Sequence, residues 1–161
     1  MRDLFESAAP EYRQAEFMAE GAMLLRGAAL PFEEDLLPAV NGIAALSRFR
    51  HMITPGGFTM SVAMTNCGAA GWVTDRMGYR YDRNDPETGS PWPPMPNCFF
   101  ELAVTSATRA GYPNFRPDAC LINRYDPGAR LSLHQDKNER DFDHPIVSVS
   151  LGCRQFSSSG V

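Results

Sequence analysis

Residues 123–139 read NRYDPGARLSLHQDKNE, and within them His134 and Asp136 stand two positions apart. On an extended segment, positions i and i+2 project to the same side. A neutral imidazole and a carboxylate can then occupy adjacent positions on one metal ion. A second histidine from elsewhere would complete a 2-His-1-carboxylate facial triad, which binds Fe(II) and leaves positions open for a bidentate cosubstrate and oxygen. The pair alone is a weak signal, because short motifs arise by chance. Its plain alternative is a solvated turn charge beside an ordinary histidine.

The elements that must position these residues can be read from periodicity and punctuation. Residues 31–47, PFEEDLLPAVNGIAALS, carry apolar residues at helical spacing, with Pro38 implying a kink or a late start. TPGG (54–57) breaks the chain, FTMSVAMTNCG has the residues of a strand, and GWVTDRMGYRYD is rich in Trp and Tyr. The proline-dense PETGSPWPPMP (86–96) predicts little regular structure and a subdomain boundary. NCFFELAVTSATRAG (97–111) predicts a helix closed by Gly111. ACLINRY leads into the turn DPGA, RLSLH follows, and PIVSVSLG (145–152) alternates as a strand. Helices followed by clustered short strands favour α+β with an antiparallel sandwich or jelly roll over a βαβ fold.

The chain has 161 residues, 43% hydrophobic and 21% charged, which suits one globular domain. A net charge of −4 provides no global basic field for nucleic acid, although a local patch remains open. No apolar run approaches the roughly 18 residues of a membrane span. The start, MRDLFESAAPEYRQ, lacks the apolar core of a secretory signal, so the expected compartment is the cytoplasm. The four cysteines, Cys67, Cys98, Cys120 and Cys153, form no CxxC pair. They read as reduced, mostly buried small apolar residues.

The separated motifs LINRY, PGA.LSLHQDK, TPGGFTMSVAMTNCG, GW, GY.Y and PIVSVSLG occur in the order found in the AlkB family of Fe(II)- and 2-oxoglutarate-dependent DNA and RNA repair dioxygenases. The chain resembles that family from about residue 48 to Gly152, and its bacterial members most closely. The resemblance implies a double-stranded β-helix (jelly roll) core with N-terminal helices and a β nucleotide-recognition lid. It divides the chain into an N-terminal helical extension (1–47), the lid (48–93) and the N-terminal part of the dioxygenase core (94–161). It implies Fe(II) on His134 and Asp136, and 2-oxoglutarate against Asn123 and Tyr125, with Arg124 between them. In the lid it implies Trp72 stacked on a flipped, alkylated base, Tyr79, Arg80 and Tyr81 on phosphates and substrate, and Met64 at an apolar lid position. Extruded bases need aromatic faces, and a cationic methylated base favours Trp.

The implied activity is oxidative demethylation of bases of the N1-methyladenine and N3-methylcytosine type, in single- or double-stranded DNA or RNA. Fe(II), 2-oxoglutarate and O₂ are the implied cofactor and cosubstrates. The protein, when complete, is expected to be monomeric. One departure is Asn138, where the family members most like this chain carry Asp; Asn can accept a hydrogen bond but supplies no charge to a cationic base. The alternatives are an inactive fragment or non-enzymatic nucleic-acid-binding remnant, and a zinc hydrolase using His134, Asp136 and His144 around an open site.

In the family, the second metal histidine lies roughly fifty residues past the aspartate, completing the triad, and the arginines that clamp 2-oxoglutarate lie further on. This chain runs 25 residues past Asp136, to Val161. Neither His51, ahead of the lid, nor His144, where the family has no ligand, is expected to substitute. The resemblance stops at Gly152, where the family continues approximately LGLPAxFQFGGLKR. Deleting one nucleotide from a plausible coding of LPAVFQFGGLK yields Cys-Arg-Gln-Phe-Ser-Ser-Ser-Gly-Val and a stop, which is the tail Cys153–Val161. The expectation is a frameshift-truncated core with exposed strand edges beside PIVSVSLG. Reading the gene past its stop in the other frames tests it.

Overall fold

The computed structural model describes residues 15–131 and 144–152, and its architecture is α+β. A hairpin of β1 (Ala15–Ala19) and β2 (Ala22–Leu25) comes first. A short 3₁₀ turn (Leu30–Phe32) then leads into α1 (Glu33–Leu46). Strand β3 (Ala63–Gly68), the hairpin strands β4 (Gly71–Asp75) and β5 (Gly78–Asp82), helix α2 (Asn97–Arg109) and strand β6 (Ala119–Arg124) complete the order. The strands pair antiparallel as β1–β2, β3–β6 and β4–β5.

Helix α1 has Glu33, Glu34 and Asp35 in its first turn, where carboxylates meet the positive end of the helix dipole. Leu36 and Ile43, two turns apart, form its buried stripe. The helix starts at Glu33, ahead of Pro38, which falls early enough to forfeit a single backbone bond. Helix α2 buries Leu102 and Ser106 four residues apart. It closes as expected: Gly111 takes φ 97°, and the Tyr112 N–H turns back to the Ala107 carbonyl at 2.9 Å.

Two expectations need correction. The extension 1–47 is not wholly helical, since residues 15–25 form a hairpin. Gly21, at φ 75°, reverses the chain there, and Arg26 pairs with Glu16 across the two strands at 2.9 Å. The second correction concerns PIVSVSLG, which belongs to no strand. Its alternation supplies two faces, but a strand exists only against a partner, and none lies beside it among the described residues. Ile146 is accordingly 67% exposed. RLSLH, apart from its first two residues, and the tail from Cys153 lie outside the described residues.

The core gathers on β3. Val62, Ala63, Met64, Thr65, Asn66 and Cys67 are all buried, and Met64 packs in one cluster with Met52, Val62, Val73 and Trp92. Cys67 is buried, Cys98 and Cys120 are half-buried, and all three are free thiols. Cys67 faces Cys120 across the β3–β6 ladder. A hydrogen bond with Cys120, together with burial, pushes the Cys67 thiol up.

Arg50 ties several segments together. Its backbone exchanges two hydrogen bonds with Met64, at 2.9 and 2.8 Å. Its guanidinium grips the buried Asp85 carboxylate at 2.6 and 2.7 Å, reaches Glu87 at 3.0 Å and lies 5.3 Å from the centre of the Trp92 ring. Burial pushes the Asp85 carboxyl up. Hydrogen bonds from Arg50, the Glu87 N–H and Ser47, with the Arg50 charge, outweigh it and hold the group below the usual carboxylate range.

Candidate functional site

Register decides which side chains share a surface, because directly opposed residues of an antiparallel pair project to the same face. In the β4–β5 hairpin, Trp72 opposes Tyr81 and Thr74 opposes Tyr79. The three aromatic residues singled out from sequence therefore lie on one face. Trp72 and Tyr79 stack with ring centres 5.8 Å apart and planes inclined by 29°. Tyr79 and Tyr81 keep 45% and 48% of their surface exposed. The hairpin thus presents a partly open aromatic platform.

Arg80 is on the other face, opposite Val73. Its guanidinium bonds to both Asp75 oxygens at 3.0 and 2.9 Å and approaches Asp82 at 3.6 Å. Those hydrogen bonds hold the Asp75 carboxyl below its usual range. Arg80 is thus engaged in bracing the hairpin, and the structure does not bring it to the aromatic platform.

On β3–β6, Met64 opposes Asn123 and Asn66 opposes Leu121. Met64 and Asn123 thereby share a face, although Met64 is a core residue rather than a lid surface. Arg124 projects to the opposite face, where its guanidinium lies 4.9 Å from the centre of the Phe49 ring and 3.4 Å from Asp126. Tyr125 follows at the strand end, partly exposed, and the DPGA turn is closed by the Ala129 N–H on the Asp126 carbonyl at 2.9 Å. The β3–β6 ladder joins the expected lid (48–93) to the expected core (94–161), since β3 lies in the one and β6 in the other.

His134, Asp136 and Asn138 lie outside the described residues. Among the described residues, no group of three or more His, Cys, Asp or Glu could hold a metal ion. His51 places Nδ1 2.9 Å from the Met60 carbonyl. His144 is exposed and lines a shallow cavity with Tyr112, Pro113 and Phe115. The donor chemistry at the end of β6 suits a keto acid: Asn123 and Tyr125 are neutral, hydrogen-bonding, and lead directly into the segment that carries His134 and Asp136.

Sequence reasoning missed Asn66, a fully buried carboxamide bonded to the backbone of Trp72. It also missed the Arg50–Asp85 pair. The TNCG context gives no local signal for the first. The second joins residues 35 positions apart.

The sequence profile of the 2OG-Fe(II) oxygenase superfamily matches residues 21–158. The chain is 58% identical to the alpha-ketoglutarate-dependent dioxygenase AlkB of Escherichia coli (strain K12) over 152 residues, which span 94% of this chain and 69% of the relative. It is 46% identical over 120 residues to an AlkB homolog of Caulobacter vibrioides, covering 74% of this chain and 53% of the relative. It is 33% identical over 86 residues to the tRNA demethylase abh1 of Schizosaccharomyces pombe, covering 50% of this chain and 27% of that protein.

Proposed function

The chain belongs to the 2OG-Fe(II) oxygenase superfamily, and we propose that it performs oxidative dealkylation of nucleic-acid bases with Fe(II), 2-oxoglutarate and O₂. The observation that carries this reading is the 58% identity to the Escherichia coli dioxygenase over 94% of the chain. The zinc-hydrolase alternative finds no support in that membership. The superfamily's core is a jelly roll, to which β3 and β6 contribute, with the β4–β5 hairpin as the nucleotide-recognition lid.

His134 and Asp136 would supply two of the three protein ligands of the iron, and Asn123 and Tyr125 would hold the keto acid. When bound, iron and 2-oxoglutarate supply the oxidising chemistry. The chain's own residues orient the base and exclude water. Trp72 and Tyr79 offer the face on which a flipped cationic base stacks, and Tyr81 extends that face. Met64, buried in the core cluster, supports Asn123 from the facing strand. In the net reaction the methyl gains one oxygen atom from O₂ while 2-oxoglutarate becomes succinate and CO₂. The hydroxymethyl group then leaves its ring nitrogen as formaldehyde, and the nitrogen recovers a free base. DNA or RNA is the substrate, and the compartment is the cytoplasm.

Incubating the chain with an N1-methyladenine oligonucleotide tests this. Formaldehyde and succinate are expected in equal amounts, dependent on Fe(II) and 2-oxoglutarate, and His134→Ala should abolish both. Asn138→Asp should sharpen the preference for cationic over neutral lesions. Absence of formaldehyde, together with equal affinity for methylated and unmethylated oligonucleotide, would sink the reading.

A further inference from the structure

Asn66 is 0% exposed, in the middle of β3. Burying a carboxamide costs free energy unless its polar atoms are bonded. Here they are bonded to a single residue: Oδ1 accepts from the Trp72 N–H at 2.9 Å, and Nδ2 donates to the Trp72 carbonyl at 3.0 Å. The orientation of the amide is fixed, because a backbone N–H only donates and a carbonyl only accepts. A carboxamide carries the same donor and acceptor as a peptide group. Asn66 therefore does for Trp72 what a neighbouring strand would do, on the edge of β4 that β5 does not cover.

The surroundings lock the same spot. Gly71, next to Trp72, lies against the Trp92 indole and the Asn66 Cβ so closely that any Cβ on it would meet both. Trp92 donates from Nε1 to the carbonyl of Asp82, the residue opposite Gly71 at the root of the hairpin. Asn66 is also two residues from Met64, the ladder partner of Asn123. One rigid strand thus connects the backbone of Trp72 to the residue assigned to the keto acid.

We propose that Asn66 is a positioning residue: its buried carboxamide fixes the backbone of Trp72, and so sets where the stacking face meets a base relative to Asn123. This rests on the reading of Trp72 as the base-stacking residue. The hydrogen bonds themselves hold whatever Trp72 stacks on, so the two claims fail separately.

The test uses the metal-free chain and a fluorescein-labelled oligonucleotide, with and without one N1-methyladenine, read by anisotropy. Asn66→Leu keeps the volume and loses both hydrogen bonds. It should weaken binding of the methylated oligonucleotide roughly tenfold, the loss expected from one or two hydrogen bonds, with little effect on the unmethylated one. Asn66→Asp keeps the acceptor alone and should fall between, and it serves if Asn66→Leu fails to fold. In a Trp72→Ala background, either change should add less than about twofold, because coupled residues are non-additive. Amide exchange at Trp72 should accelerate at least tenfold in folded Asn66→Leu or Asn66→Asp. Additive losses on both oligonucleotides, or a Trp72 amide that stays protected, would overturn the assignment. If Trp72→Ala leaves the methyl preference intact while Trp72 exchange still accelerates, the stacking reading fails and the clamp stands without its role in base recognition.

Discussion

Asp85 is where a single atom pair decides most. Its carboxylate is buried against Arg50, and removing one partner of such a pair leaves the other charge uncompensated. Asp85→Asn should cost about 3 kcal/mol at neutral pH, measured by urea unfolding. The sign of its pH dependence follows from the depressed carboxyl. A group whose folded pKa lies below its unfolded one stabilises the fold above the unfolded value, and that contribution fades as pH falls through the folded one. The gap between the native chain and the variant should therefore be full at neutral pH and narrow as pH drops below about 4, the ordinary carboxylate value. A gap that stays constant to pH 2.5 would show that Arg50 does not hold this proton equilibrium. Such residues were opaque in the sequence. Nothing local in SRFRH announces a partner 35 positions away, and Asp85 directly precedes the proline-dense link that predicted little regular structure. Trp72, Tyr79 and Tyr81 were singled out through the resemblance to the AlkB family, since the residues alone showed only a stretch rich in Trp and Tyr.

At the scale of elements, the root of the β4–β5 hairpin is limited by space rather than by backbone conformation. A Cβ on Gly71 would stand 2.6 Å from Trp92 Nε1 and 2.8 Å from Asn66 Cβ, both buried and unable to give way. Gly71→Ala should destabilise by about 1–3 kcal/mol, the usual cost of overpacking. Gly42→Ala, in α1 with nothing within 4 Å of the new methyl, should instead stabilise by about 0.5–1 kcal/mol. Paired thermal melts check both signs; two shifts in the same direction would contradict the packing. The elements legible from sequence were those whose rules are local. Helix α2 has its helical pattern and a closing Gly111. Strand β6 was legible from ACLINRY and the DPGA turn. The hairpin at 15–25 and the unpaired state of 145–152 were not legible, because strand formation depends on what lies alongside.

For the whole molecule, α+β was legible from the mix of helix and strand signals, but not the order, since described strands lie before, between and after the two helices, nor the pairing of β3 with β6 across fifty residues of intervening chain. The described residues leave large apolar side chains at the surface, among them Phe17, Leu46, Phe58, Met77 and Ile146. Scattered single residues of this kind are ordinary, but Ile146, Val149 and Leu151 fall within six positions on a segment that pairs with no strand among the described residues. The chain should self-associate with rising concentration in sedimentation velocity. Ile146→Lys with Leu151→Lys should reduce that association without lowering the melting temperature; unchanged association would place the sticky surface elsewhere.

The register of β3 on β6 also bears on how such a chain can vary over generations. Met64 with Asn123 occupies one face, and Cys67 with Cys120 the other. Inserting or deleting a single residue within 63–68 or 119–124 would slide the ladder by one and exchange the two faces, carrying Asn123 to the side now held by the thiols. Lineages descended from this gene can therefore change length more freely in exposed connections such as 113–116, and a viable indel inside either strand should come with a compensating one in the same strand.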